Sequence, residues 1–569
     1  MRGGDASCRV VARMGGMVGE EVAVQLFAGN RQPIRTADGE SVAYHERDAG
    51  GGVKSEEFQV RARAVVNDPH LTFHQRRHYL AGLAEEALDY PELSEEAAEA
   101  LNKRIICDMY EGHAPYRARY LLPDYAKALR NGSAFLELEP PDTLDDALNF
   151  LLIMYTQVPS ITGYPVYLGD LDKILVPYVD GISDDHLYRS LKRFWIAIDR
   201  ILPDAFAHMD LGPRDGRIIR TIFRIEREVL QVVPNLTFKV DPEVTPDDLI
   251  RDAVETVFET AKPHFVNHPL MIRDFGDEEY AAVSCYNSLR IGGGSHTLNR
   301  INLKEVALVH DGDTEAFFSE TLPRYVELNA QLIEARIRYL VEEARFYDHD
   351  FLAKEGLISL DRFSAMYGVF GLAECVDILM ANAGREGRYG RDDEANALSY
   401  RVVRAIADQV AERPMPYCEG NDGRCMLHSQ SGIDVDLEVT AGTRIPIGTE
   451  PSMYEHIACV APLHDAFMAG VSDIFHVEDT ARRNPQAVVD IIRGAFEEGM
   501  RDFTFNLDTN GFIRITGYLV RKSDIEAFSD EGGRHSSTVF AAGSVENSHV
   551  LNRATKRVLV REHHTRPPQ

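Results

Sequence analysis

Apolar residues recur along this chain with two different periods, and where each one holds decides which elements to expect. In Asp142 to Val158, Leu144, Leu148, Leu151 and Leu152 stripe one face of a helix. From Pro323 to Phe346 a long helix is predicted, because Val326, Ala330, Ile333, Ile337, Leu340 and Ala344 recur at alternating spacings of four and three. In GVFGLAECVDILM the set Leu372, Cys375, Val376 and Leu379 again makes one helical face, so Cys375 reads as a small apolar residue despite its neighbour Glu374. Residues 58 to 280 read as mostly helical, a packed layer broken by proline and glycine. A further helix has Asn484 as its cap, Pro485 at its first position and Val488, Ile491, Ile492 and Ala495 as its stripe, with Gly499 near its end.

Period two takes over in two places. In Asp502 to Arg521, Phe503, Phe505 and Leu507 alternate with polar residues, Asn510-Gly511 offers a tight turn, and Ile513, Ile515 and Leu519 resume the alternation, which predicts a hairpin. Gly517 breaks that pattern where an apolar side chain is expected. In Val283 to Leu303, β-formers flank Gly292-Gly293-Gly294, as in a loop that enters a crowded interior and continues as a strand through Leu298, Ile301 and Leu303. The triple glycine lacks the Lys-Ser/Thr of a phosphate-binding loop and the spacing of a dinucleotide fingerprint. Residues 1–57 are glycine-rich with no sustained period and read as a loose extension.

Composition narrows the partners. The 569 residues carry 61 Lys and Arg against 90 Asp and Glu, a net charge of −29, which disfavours nucleic acid and anionic membranes as general partners. No segment has the apolar length of a transmembrane helix, and no signal-peptide core precedes Glu20 and Glu21, so a cytoplasmic protein is expected. Seven widely spaced cysteines without a Cys-x-x-Cys fit reduced thiols. Cys418, Cys425 and His428 share one loop region, but the cysteine spacing is longer than in a structural zinc knuckle and no fourth ligand follows, so no metal is assigned.

Gly517 has a chemical use that an ordinary strand glycine lacks. Loss of its α-hydrogen would leave a planar, delocalised carbon radical, and no Cβ opposes that geometry. A backbone radical reaches few substrates by itself, so a neighbouring thiol is needed to carry the reaction.

Arg514-Ile515-Thr516-Gly517-Tyr518 resembles the Arg-x-x-Gly-Tyr signature of glycyl radical enzymes, and the helix, Phe-Thr-Phe-Asn strand and glycyl segment follow in the order that family shows. The Ser284-Cys285-Tyr286-Asn287 loop with its triple glycine, GLAECVDIL, and the long tail beyond Gly517 resemble the YjjI family of these proteins. That resemblance implies an α/β fold, a ten-stranded barrel of two half-barrels with surrounding helices, with a glycyl hairpin and a cysteine hairpin meeting inside. The implied organisation is an extension at 1–57, the helical layer and barrel at 58–480, the glycyl segment at 481–525 and a tail at 526–569. It implies Gly517 as the radical store and Cys285 as the thiyl residue, with Asn287, Asn299, Arg300 and Glu450 as candidate substrate ligands. It implies no cofactor in the chain beyond the glycyl radical. The S-adenosylmethionine and iron-sulfur cluster belong to a separate radical activase, and the chain is expected to be a homodimer.

Departures from relatives restrict the chemistry. Tyr286 follows Cys285, so the paired cysteines of pyruvate formate-lyase are absent, and Asn287 stands where dehydratases and decarboxylases carry a general-base glutamate. The zinc cysteines and nucleotide-binding domain of anaerobic ribonucleotide reductases are not visible. A single-thiol radical site for a small polar substrate remains. Against it stand a non-catalytic barrel that binds a ligand or scaffolds, and a thiol hydrolase, which would need a histidine such as His296 beside Cys285.

Overall fold

The computed structural model describes residues 55–523, apart from 68–72, 110–112, 115, 161–162, 203–205, 430–438, 472, 508–509 and 515–518, together with short strands at Ile34–Arg35 and Ser41–Val42. Gly517, Ile515, the rest of the N-terminal extension and the tail from 524 onward lie outside the described residues.

In chain order the strands are β1 (Ile106–Cys107), β2 (Tyr120–Leu122), β3 (Tyr167–Asp170), β4 (His208–Leu211), β5 (Asn235–Val240), β6 (His264–Asn267), β7 (Tyr280–Val283), β8 (Asn287–Arg290), β9 (Gly293–Asn302), β10 (Phe363–Phe370), β11 (Met426–Ser429), β12 (Phe475–Val477), β13 (Asp502–Phe503), β14 (Phe505–Leu507), β15 (Phe512–Arg514) and β16 (Leu519–Arg521). The helices used below are α1 (Leu144–Tyr155), α2 (Asp184–Ile201), α3 (Arg217–Val229), α4 (Asp247–Thr260), α5 (Leu322–Arg338), α6 (Leu372–Asn382) and α7 (Pro485–Glu497).

Two five-stranded sheets organise the molecule. The first runs β13-β6-β5-β4-β3, with β3 to β6 parallel and β13 antiparallel at the edge. Strands β3 to β6 lie between the helices of the stretch expected to be mostly helical, which is mostly helical but holds this sheet as well. The reason is visible in β4 and β5: Met209, Leu211, Leu236, Phe238 and Val240 alternate with His208, Asp210, Asn235, Thr237 and Lys239, and every one of these residues is buried. The apolar set packs on helices, as where Phe223 of α3 meets Phe238 edge to face at 5.7 Å. The polar set faces the interior. Short strands with a polar inner face between long helices carry little of the apolar run that marks a buried strand.

The second sheet runs β11-β10-β9-β1, with β2 also on β9; β9, β10 and β11 are parallel. Here the triple glycine behaves as expected. Gly292 has φ +74° and Gly294 φ +149°, and a Cβ on Gly293 or Gly294 would run into the carbonyl of Arg362 or Tyr120 respectively. Val326, Ala330, Ile333 and Ile337 of α5 and the α6 stripe with Cys375 are buried as predicted, whereas α5 ends at Arg338 and Ala344 beyond it is half-buried.

The hairpin expected around Asn510-Gly511 does not form. Gly511 is not at positive φ, and Asn510 accepts from Phe512 N–H at 3.0 Å and donates to the carbonyl of Val257 in α4 at 3.1 Å. Its side chain closes a local turn, so β14 pairs in parallel with β12 and β15 pairs antiparallel with β16. Arg514 faces Leu519 in that register, while Gly517, expected inside a strand, lies outside the described residues. Helix α7 starts at Pro485 as predicted, although Asn484 makes no side-chain cap bond, and Val489 and Phe496 join the buried stripe while Ile491 stays at its margin.

Close backbone approach at β9 leaves no room for a methyl group. Gly293→Ala is expected to cost about 3 kcal/mol or more, read as a large fall in Tm or loss of soluble protein. Gly511→Ala, which meets nothing within 4 Å, is the control and should stay within about 0.5 kcal/mol of the parent. A Gly293→Ala chain with the parental Tm would contradict the packing described here.

Candidate active site

Strands β7 and β8 form an antiparallel hairpin in which Val283 faces Asn287, leaving Ser284, Cys285 and Tyr286 as its tip. Ser284 and Tyr286 sit at φ 48° and 62°, left-handed conformations that cost roughly 1–2 kcal/mol each for residues with a Cβ. Cys285 is buried between them, with Ser284 Oγ 3.9 Å from its sulfur. Such a turn persists only where its surroundings over-determine it.

The first sheet supplies that constraint. Lys239 Nζ donates to the Tyr280 carbonyl at 2.8 Å, Thr237 Oγ1 donates to the Ala282 carbonyl at 2.5 Å, Ala282 N–H donates to Asp210 Oδ2 at 2.9 Å, and Ser284 N–H donates to His208 Nδ1 at 2.7 Å. Lys239 also reaches Asp170 at 2.8 Å and Asp210 at 3.4 Å. Burial works against its charge, but the two carboxylates outweigh it and hold the ammonium above its ordinary range. Burial drives His208 and His264 well below theirs, helped in both by nearby positive charge, so each ring is neutral. A neutral His208 keeps the lone pair that the Ser284 amide needs. With its hydroxyl hydrogen given to Ala282, Thr237 accepts from His264 Nε2 at 3.2 Å.

On the other flank Gly470, at φ +110°, lies so close to the tip that a Cβ there would strike the Tyr286 carbonyl, and Ser288 N–H donates to the Ala469 carbonyl at 3.0 Å. Tyr286 meets His264 edge to face at 4.5 Å. The guanidinium of Arg514, at the end of β15, lies 5.9 Å from the Tyr286 ring centre and donates to Asn235 Oδ1 at 3.3 Å and to the Ala261 carbonyl at 2.8 Å. The β15–β16 pair and the hairpin that carries Cys285 therefore approach each other through Arg514 and Tyr286.

The second sheet closes the site. Cys107, Arg300, Gly368 and His428 are direct neighbours across β1, β9, β10 and β11 and so share one face. His428 Nε2 donates to the Cys285 carbonyl at 3.0 Å, which identifies that face as the inner one. Gly368 leaves the room that the Arg300 side chain crosses, and the guanidinium lies 4.3 Å over Phe370. Asn299 takes the opposite face: its neighbour Tyr367 donates to the Val326 carbonyl in α5 at 3.0 Å. Asn287 is buried at the base of the hairpin and donates to the Val283 carbonyl at 3.3 Å, while its Oδ1 has no partner among the described residues. Glu450 occupies a half-buried turn where its carboxylate accepts from Gly448 N–H at 2.5 Å. The structure thus places Asn287 at the base of the Cys285 hairpin and Arg300 on the sheet face that His428 links to it, with Asn299 on the opposite face and Glu450 in a separate turn. Arg444, from the same segment as Glu450, is buried with its charge felt by Asp473, Tyr286, Cys285 and Asp502, although burial depresses its own basicity. Tyr120 stands within bonding reach of Arg119 and Ser284 and within electrostatic range of Cys285.

His296 is not beside the thiol. Its Nε2 donates to the Tyr417 carbonyl at 2.7 Å and its Nδ1 accepts from Tyr347 at 2.9 Å, which removes the pairing a hydrolase needs. Cys418 and Cys425 are buried thiols, pushed up by burial, Cys425 to about 12, and no group of three potential metal ligands occurs among the described residues. A cleft of about 520 Å³ opens beyond the ends of β3 and β4, between Lys173, Arg214 and Glu278, and contains none of the hairpin-tip residues.

Residues 71–556 match the family described as glycyl radical enzyme YjjI-like. The chain belongs to that family. It is 46% identical to the uncharacterized protein YjjI of Escherichia coli (strain K12) over 496 residues, 87% of this chain and 96% of that one. An uncharacterized protein of Haemophilus influenzae is 35% identical over 86% of this chain and 96% of its own length. Among solved structures, the Clostridioides difficile hydroxyproline dehydratase with trans-4-hydroxy-L-proline bound and the glycerol-bound form of the B12-independent glycerol dehydratase of Clostridium butyricum each align with TM-score 0.61 over 95% of both chains, at 11% and 12% identity. The Thermotoga maritima anaerobic ribonucleotide reductase aligns with TM-score 0.58 over 77% of this chain and 85% of that one, at 15% identity. At such identities the likeness establishes the fold, and the two sheets are the half-barrels of a glycyl radical enzyme barrel. No described helix of this family member is long and apolar enough to cross a membrane.

The sequence reading missed the polar scaffold of His208, Asp210, Asn235, Thr237 and Lys239. The available signal was the alternation in HMDL and NLTFKV. The histidine environments also predict a pH response. Burial lowers His296 to about 4, against 6.5 for an exposed ring, so the unfolded chain binds the proton first and the folded state loses stability as pH falls from about 6.5 to about 4. His296→Gln, whose amide keeps a donor and an acceptor, should flatten the dependence of Tm on pH across that window. An unchanged slope would refute a neutral, buried His296.

Proposed function

We propose that this chain is an enzyme in which Gly517 stores an unpaired electron, Cys285 carries it to a small polar substrate, and a C–H bond of that substrate is broken. The observation that carries this reading is the meeting of the two hairpins, with Tyr286 beside Cys285 lying against Arg514 of the glycyl hairpin. Radical insertion falls to a separate activase using S-adenosylmethionine and an iron-sulfur cluster, which removes one α-hydrogen atom from Gly517. The Gly517 radical then takes the hydrogen atom of the Cys285 S–H bond, re-forming Cα–H and leaving a thiyl radical. The thiyl takes a hydrogen atom from the substrate, the product radical takes one back from Cys285 S–H, and the thiyl so re-formed recovers a hydrogen atom from Gly517 Cα, which restores both the thiol and the glycyl radical.

The surrounding side chains fit this use. A thiol buried in a strained tip, with no carboxylate bonded to it among the described residues, suits hydrogen-atom transfer better than nucleophilic attack. Arg300 over Phe370 and the free acceptor of Asn287 are the groups proposed to meet the substrate, with Arg444 behind the tip. The class of substrate is taken from the dehydratases with the same fold, which hold hydroxyproline and glycerol. A scaffold role would explain neither the strained tip nor its polar clamp.

Anaerobic incubation with an activase, S-adenosylmethionine and a reductant should give an electron paramagnetic resonance doublet, split by the one α-hydrogen left on Gly517. Gly517→Ala should abolish it. Cys285→Ala should keep the doublet while losing turnover. If the activase demonstrably cleaves S-adenosylmethionine in the presence of the chain and no doublet appears, the enzyme reading fails.

A further inference from the structure

The two hairpins are fastened to neighbouring rungs of the same sheet, in an order that sets how they approach each other. Strand β7 runs antiparallel across the inner face of β5. Lys239 holds the carbonyl of Tyr280, and two residues back Thr237 holds the carbonyl of Ala282. Steps of two residues match on both strands, about 6.6 Å each. Thr237 is paired with Asp210 of β4, which takes the N–H of the same Ala282, so both backbone groups of that residue are bound by one rung.

The next rung is His208 paired with Asn235. Continuing the step of two would bring Ser284 to this level, and Ser284 N–H is indeed held there by His208. Asn235, directly beside it, holds something else: its Oδ1 accepts from the guanidinium of Arg514 and from Leu236 N–H. One rung therefore grips the residue adjoining Cys285 with one side chain and the last paired residue before Gly517 with the other. Neighbouring strands are separated by about 4.8 Å, and rungs of a buried parallel sheet do not slide. Asn235 is fully buried.

We propose that His208 and Asn235 are a positioning pair whose shared rung sets the approach of Gly517 to Cys285, with Asn235 as the glycyl-side anchor. The proposal rests on the glycyl-to-thiyl relay stated above. Asn235 touches no reacting atom; it acts through Arg514.

The relay has a readout that needs no substrate. In D2O the thiol becomes S–D. When the Gly517 radical takes that deuterium atom, the S–D bond breaks, a CαHD glycine forms and the thiyl appears. When the thiyl recovers the protium instead, the radical left on Gly517 carries deuterium and its doublet collapses to a singlet. The rate of collapse reports hydrogen transfer between the hairpins. With the full chain charged by its activase, Asn235→Gln, which moves the acceptor outward by one methylene, is expected to slow the collapse at least tenfold at an undiminished radical yield. Asn235→Asp, which keeps an acceptor oxygen in place, is expected to retain the parental rate. Equal rates in all three chains, or an Asn235→Asp chain as slow as Asn235→Gln, would overturn the proposal. A parental chain that holds the doublet in D2O without collapse would remove the relay itself and this inference with it. Should Asn235→Gln fail to accept the radical, His208→Asn reads the same rung from the cysteine side, with slowed collapse expected and a parental rate contradicting it.

Discussion

A two-stranded hairpin placed inside a protein leaves the outer edges of both strands without a sheet neighbour. Each buried N–H or C=O left unbonded costs roughly 1–3 kcal/mol, and water is not available to compensate. The rest of this structure follows from that constraint. Among the described residues β7 pairs with no strand but β8. Its edge is bonded instead by side chains standing up from the first sheet: Lys239, Thr237, Asp210 and His208. The inner face of the half-barrel is therefore polar while its outer face is an ordinary apolar core, and both are buried.

Polar groups in such a place must also be kept in the right protonation state. His208 serves as an acceptor only while neutral. Burial is the larger reason that it is, and the positive charge of Arg514 is the next. Arg514 thus contributes twice: it ties the glycyl hairpin to Asn235, and its field disfavours a proton on the ring that holds Ser284. Lys239 remains charged for the opposite reason, since Asp170 and Asp210 surround it and offset its burial. Burial lifts Asp210 to about 7, with Lys239 opposing.

The residues proposed to carry the chemistry are the ones that differ from their local pattern in the sequence. Gly517 interrupts an alternation, Cys285 precedes a triple glycine, and both stand out against the periods around them. Residues that obey the period were not legible. Thr237 and Lys239 alternate regularly with Leu236, Phe238 and Val240 in a stretch read as mostly helical, and their polar face is turned to a buried hairpin. Asn299 and Arg300 show a second limit. Adjacent strand residues face opposite ways, and the choice between them depends on parity, which the register shift between Ser295 and Leu298 on β9 resets. No propensity records that shift. The turn at Asn510-Gly511 failed for a third reason: Asn510 found a partner in α4, a contact distant in the chain.

Glu374 shows how a residue beside a cysteine can serve the site without joining its chemistry. Cys375 faces the core, where burial keeps its thiol protonated, and Glu374 points elsewhere. Its Oε1 accepts from both the N–H and the hydroxyl of Thr440, the N–H at 2.9 Å. Thr440 in turn gives its carbonyl to Gly371 N–H at 2.9 Å, at the point where β10 turns into α6. Next to Thr440, Val439 packs with Phe370 and Cys107 in a small apolar cluster on the face that Arg300 crosses. The segment that begins there carries Arg444 to the flank of Cys285. A carboxylate that reads as a candidate base from its neighbour in the chain is therefore the fastening of a loop, and the charge that loop delivers to the thiol is positive.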